Sequence, residues 1–81
     1  MLRIKELKIL PELKILLVFS NDEKKIMDFR AISEQEVFLE LKDPGYFAQV
    51  QNRGYFIEWP HEQDLSAETL YAEGKRPIES K

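Results

Sequence analysis

The sequence predicts a single α+β domain, with an antiparallel sheet of about five strands, a short middle helix and a C-terminal helix. Three observations predict it. Residues 12–20, ELKILLVFS, alternate around apolar positions as a strand does. Turn chemistry recurs at Asn21-Asp22, at Asn52-Arg53-Gly54 and at Pro60. Ser66 and Gly74 bracket a run of good helix formers.

The elements follow in order. Residues 2–10, LRIKELKIL, read as a first strand in which Leu7 and Ile9 share a face and Ile4 falls out of phase; helix is the rival reading, and Pro11 ends the segment either way. Residues 12–20 form the second strand, with Leu13, Ile15, Leu17 and Phe19 on one face and Leu16 and Val18 on the other. A strand apolar on both faces is normally covered on both sides. A chain of 81 residues has little with which to supply the second cover, so that cover comes from its own tail or from another subunit. Asn21-Asp22-Glu23 turns the chain into a third strand, 24–29. A three-residue loop there sets Leu17 opposite Met27 and Ile15 opposite Phe29, which keeps the apolar residues on one face.

Ser33 and Glu36 have the spacing of a capping box, with Ile32 and Val37 as its hydrophobic staple, ahead of a helix over 34–41 that turns Val37, Phe38 and Leu41 inward. Asp43-Pro44 is a second helix start, good for about one turn. Residues 48–51 and 54–59 form a hairpin about Asn52-Arg53-Gly54, with Tyr55, Ile57 and Trp59 on one face. Pro60 ends that strand, Ser66 caps a helix over 67–73 with Leu65 and Leu70 as its staple, and Gly74 stands at the C-cap. The domain is taken as 1–73 and the tail, 74–81, as loose. The expected core is Leu13, Ile15, Leu17, Phe19, Met27, Phe29, Phe38, Leu41, Phe47, Ile57, Trp59 and Leu70.

Composition narrows the function. An apolar fraction of 43% with 33% charged residues is that of a globular domain. Without cysteine there are no disulfides, thiolate metal sites or thiol nucleophiles, and a small secreted scaffold is disfavoured. The N-terminus lacks the apolar stretch and cleavage site of a signal peptide, and no apolar run approaches the roughly 20 residues of a membrane span. The cytoplasm is the expected compartment. A net charge of −3 with dispersed lysines disfavours nucleic-acid binding, which rests on cations that neutralise phosphates.

The chemistry-bearing candidates each have a plainer use. His61, Glu62 and Asp64 cluster, but one histidine without cysteine falls short of a zinc site, and HEQD lacks the ligand spacing of a calcium loop. The cluster reads as a solvated turn in which Asp64 bonds to backbone N–H groups ahead of the helix. Ser33 and Ser66 are better employed as caps than as partners of His61 in a nucleophilic triad. Asp28, between Met27 and Phe29, points outward or bonds to backbone at the strand end; its functional reading is a polar contact for a partner. Tyr46, Tyr55, Phe56 and Trp59 could stack bases, but only Arg53 lies near them in sequence, and core packing explains most of them better. The residues expected to meet a partner are Asp28, Tyr55, Trp59, Asp64 and Tyr71. No catalytic, cofactor or metal residue is expected.

The ordered features resemble a small bacterial family of unknown function, DUF 2442. They are Phe19 to Asn21; Asp28-Phe29; Phe38, Leu41, Asp43-Pro44 and Phe47; Ile57, Trp59-Pro60; and Asp64-Leu65, Glu68 and Leu70-Tyr71. The likeness covers nearly the whole chain. Its members often have glycine after the acidic turn residue and between the Trp-Pro pair and the Asp, where this chain has Glu23 and Gln63. The resemblance implies no known enzymatic activity. It also implies a sensor or dimerisation role, since some relatives add a helix-turn-helix, and a two-gene, toxin–antitoxin-like setting. The leading expectation is a non-enzymatic interaction module whose partner is itself or a small co-encoded protein. The alternatives are a regulator linked to nucleic acid and a small-ligand or hydrolytic domain around His61, Asp64 and Trp59.

Overall fold

The computed structural model describes residues 1–77. Two antiparallel three-stranded sheets carry the fold, joined by short helical segments and closed by a C-terminal helix. The first sheet holds β1 (Ile4–Leu10), β2 (Lys14–Phe19) and β3 (Lys24–Asp28) in sequence order, and the second holds β4 (Gln51–Asn52), β5 (Phe56–Glu58) and β6 (Asp64–Ser66). Between them lie two 3-10 segments, Ile32–Glu34 and Glu36–Lys42, and a single α-helical turn, α1 (Pro44–Phe47); α2 (Ala67–Glu73) follows β6. The α+β class is as expected; the five strands expected in one sheet are six in two.

The first sheet keeps the expected faces. Ile15, Leu17, Phe19, Met27 and Phe29 are all buried. The pairing is shifted: Ile15 lies opposite Met27 and Leu17 opposite Lys25. The hairpin loop does have three residues, but they are Ser20 to Asp22. The Phe19 N–H donates to Glu23 at 2.9 Å, and Asp22 takes the left-handed conformation at φ 70°. Starting the loop one residue early moves the register by two. Side chains alternate with period two, so no residue changes face.

Ile4 was out of phase with Leu7 and Ile9, and the structure supplies the reason that it still reaches the core. The register slips between Ile4 and Glu6, which leaves Lys5 as an extra residue and brings Ile4 opposite Phe19. β2 begins at Lys14 rather than at residue 12, because Glu12 (φ 66°) and Leu13 (φ 59°) make the turn. The ring of Pro11 holds its φ negative, so reversal falls to the two residues after it. Leu13 is thus half-buried rather than central to the core.

The middle of the chain departs most from expectation. No capping box forms. Gln35 is extended and splits the helix into two 3-10 segments, neither with a side-chain cap. The Ser33 hydroxyl is buried and donates to the Arg30 carbonyl at 2.8 Å. Val37, an expected staple residue, is 67% exposed, Phe38 is half-buried, and Leu41 alone of the three is fully buried. The second start signal works as read: Asp43 accepts from the Gly45 N–H at 3.0 Å with Pro44 in the first turn.

In the second sheet, β4 is shorter and later than 48–51. Asn52 accepts from the Gly54 N–H at 2.8 Å, but the reversal falls later than read: Asn52 belongs to β4, the Arg53 N–H donates to the Phe56 carbonyl at 2.8 Å, and Gly54 (φ 87°) and Tyr55 make the turn. Ser66 caps α2 through the Thr69 N–H at 3.1 Å. Gly74 is extended (φ −71°, ψ 159°), so glycine is not needed there for a left-handed cap. It is needed for closeness, since a Cβ would lie 2.8 Å from the Leu70 carbonyl oxygen and 3.0 Å from the Lys25 Cβ. Of the tail expected to be loose, residues 74–77 are described. Lys75 exchanges two backbone hydrogen bonds with Ile26 on the free edge of β3, at 2.7 and 2.9 Å.

One core serves both sheets. Ile4, Ile15, Leu17, Phe19, Met27 and Phe29 meet Leu41, Phe47, Val50, Ile57, Trp59, Ala67 and Leu70 in a single cluster. Phe29 stands at the seam, edge-on to Phe47 at 5.5 Å and to Trp59 at 5.6 Å.

Candidate functional site

The corner after Trp59 is a turn followed by a strand. Glu62 is left-handed at φ 74°, its N–H donates to Trp59, and the Trp59 N–H donates to Gln63. Asp64 then opens β6, opposite Glu58 of β5, and faces solvent. The expected role for Asp64, bonding to backbone ahead of the helix, gives way to a place on a strand.

Gln63 organises this corner and is buried. Its side-chain oxygen accepts from the Tyr46 hydroxyl at 2.6 Å. Its amide donates to the Val37 carbonyl at 3.2 Å and to Glu40 at 2.9 Å. The Tyr46 hydroxyl in turn accepts from the His61 N–H at 2.9 Å. His61 Nδ1 sits 2.8 Å from the Glu40 carboxylate, and its ring lies over Tyr46 with centroids 5.3 Å apart. The His61 hydrogen bond first, and that of Gln63 second, hold the Glu40 carboxyl below the ordinary glutamate value. The sequence showed Gln63 only as one polar residue among charged ones. Its partners lie 17 to 26 residues away, so no local signal could have found them.

Chemically this network is a cross-link. It ties the β5–β6 turn to the second 3-10 segment and to α1. Ser33 and Ser66 hydroxyls are engaged elsewhere, and among the described residues no three His, Cys, Asp or Glu side chains gather closely enough to hold a metal ion.

The five residues expected to meet a partner do not come together; among the described residues none of them shares a hydrogen bond or ring contact with another. Asp28 ends β3, accepts from the Arg30 N–H at 2.9 Å and pairs with its guanidinium at 2.7 Å, which together hold its carboxyl below the ordinary value, the guanidinium foremost. Tyr55 is half-exposed under the Arg3 guanidinium, 5.0 Å from its ring centre. Trp59 is buried with its indole N–H on the Phe47 carbonyl at 2.9 Å, so it belongs to the core and offers no contact surface. Tyr71 packs edge-on against Phe19 at 5.2 Å, carries the Lys25 ammonium at 4.2 Å and donates to Glu23 at 2.8 Å.

Two surface features remain. One is an open cleft of about 700 Å³ beside the end of β3, lined by Lys14, Asp28, Ile32, Glu73, Lys75 and Arg76 among others. His61 is not among the residues that line it. The other is the outer face of the first sheet. Because directly paired residues share a face, that face holds Glu6–Val18–Lys24 in one row, Lys8–Leu16–Ile26 in the next and Leu10–Lys14–Asp28 in the third. Leu10, Leu16, Val18 and Ile26 are partly exposed and stand outside the core cluster. Among the described residues the core cluster takes its first-sheet members from the opposite face.

Among the described residues no helix is long and apolar enough to cross a membrane. No curated protein and no solved structure matches the chain. The model of a family described as a protein of unknown function, DUF2442, matches residues 4–76, and the chain belongs to that family.

Proposed function

We propose that the domain is a non-enzymatic protein-interaction module that docks its partner on the outer face of the first sheet. The single observation behind this is the half-buried stripe of Leu10, Leu16, Val18 and Ile26, which stands outside the core cluster between charged flanks. Removing such side chains from water on docking contributes about 25 cal/mol for each Å² buried. The charges around them set orientation and rate. The partner is a second copy or a small co-encoded protein, and the setting is the bacterial cytoplasm, in line with the family resemblance and the lack of cysteine.

The test compares wild type with Leu16→Asp as baits in native lysate, read by mass spectrometry after circular dichroism shows both folded. A protein partner captured by wild type and lost from Leu16→Asp supports the reading. Equal capture by both, or bare bait that also stays monomeric in solution, overturns it.

A further inference from the structure

The occupant of this face can be narrowed by its charges. Each row crosses the sheet from β1 through β2 to β3. In the first row Glu6 and Lys24 flank Val18, and among the described residues neither has an ion-pair partner. The third row is already engaged: Lys14 reaches Glu12 at 3.9 Å, and Asp28 is held by Arg30. The middle row puts the long stem of Lys8 beside Leu16 and Ile26.

A two-fold axis lying between two copies and parallel to β2 exchanges β1 with β3 and leaves the rows in place. It sets Glu6 of each copy over Lys24 of the other, twice. Val18 and Leu16 then meet their own counterparts, and Lys8 lays its stem along Ile26 of the other copy with its ammonium at the rim. In the third row Lys14, drawn toward Glu12 at the turn, meets its own counterpart, and Leu10 of each copy lies over Asp28 of the other. The other in-plane axis, across the strands, is poorer. It sets Lys8 over Lys8 and offers Lys24 only the Asp28 carboxylate that Arg30 already holds. No acid meets an acid about the parallel axis, which is what an isologous contact requires of one patch.

We infer that the partner of this face is a second copy of the chain, packed sheet to sheet about a two-fold parallel to β2 with reciprocal Glu6–Lys24 pairs. This rests on the interaction reading above and names its occupant. Three strands spaced about 4.8 Å apart make a small patch, at or below the low end of stable interfaces, roughly 1,200 Å² in total. The dimer is therefore weak and concentration-dependent.

Sedimentation equilibrium over a wide concentration range tests it, with wild type, Glu6→Lys, Lys24→Glu and the double exchange. Wild type is expected to dimerise. Each single exchange places like charges opposite one another twice and weakens the dimer about tenfold or more, while the double exchange recovers most of the loss. Monomer at every concentration, or a dimer indifferent to the single exchanges, overturns the inference. If wild type stays monomeric while lysate capture still depends on Leu16, the face binds a different protein and only the choice of occupant fails.

Discussion

The two sheets of this domain are held by different forces. The first has strands of five to seven residues, and its inner face is buried as an alternating set of aliphatic and aromatic side chains. The second has strands of two and three residues and contributes chiefly Ile57 and the adjoining Trp59 to the core. Strands that short hold few ladder hydrogen bonds, and a short hairpin is at best marginal alone. Side-chain bonds supplement them: Gln63 to Tyr46, Val37 and Glu40, the Trp59 indole to Phe47, and Asn52 to the Ile4 carbonyl. Apolar burial is non-directional and survives a shift in register; a buried amide with three partners does not.

The largest test of that contrast is at the seam. Phe29→Ala removes the ring that both Phe47 and Trp59 pack against, and should cost about 3–5 kcal/mol by urea denaturation. Trp59 is the only tryptophan, so its fluorescence reports the second region while far-UV circular dichroism reports the whole chain. The two probes should share one transition. Separate midpoints would mean that the sheets unfold independently and that the common core matters less than its contacts indicate.

A middle-sized effect is expected at the corner. Gln63→Leu keeps the bulk but leaves the Val37 carbonyl without its amide donor and Tyr46 without its acceptor, at a cost of about 1–3 kcal/mol. A neutral result would show that burial alone holds the second sheet too.

The smallest effect concerns acid. The Glu40 carboxyl is depressed in the folded state, chiefly by His61. A depressed carboxyl stabilises the fold above its unfolded value and loses that contribution as pH falls through the folded value, so the loss begins below about pH 4. Both partners are well exposed, which keeps the effect small. Glu40→Gln should flatten the decline of the urea midpoint between neutral and acid pH. An unchanged decline would show that other carboxylates, such as Asp28 with Arg30, carry the acid sensitivity.

What could be read in the sequence follows the same division. The faces of β2 and β3, the caps at Asp43 and Ser66 and the Asn52 to Gly54 hydrogen bond each depend on residues within one turn or one hairpin of each other. The outer apolar stripe was visible for the same reason: Leu16 and Val18 alternate with the core residues of their own strand. Ser33 shows how a local rule loses. Its spacing to Glu36 suits a capping box, but the buried hydroxyl bonds to the Arg30 carbonyl instead, and the helix breaks at Gln35. β6 was missed because DLS has no periodicity of its own; it becomes a strand only because Phe56 to Glu58 offers it an edge.

By itself the amino-acid order determined the α+β class, the inner face of the first sheet, most of the core and the helix starts at Asp43 and Ser66. Period-two alternation and cap chemistry act between near neighbours, and they hold whatever the rest of the chain does. Only the tertiary structure decided the register of the first hairpin, the separation into two sheets, the use of Gln63 as a cross-link and the docking of Lys75 on β3. Each of these depends on which distant group arrives to satisfy a buried donor, an acceptor or a free strand edge, and that is a property of the assembled chain.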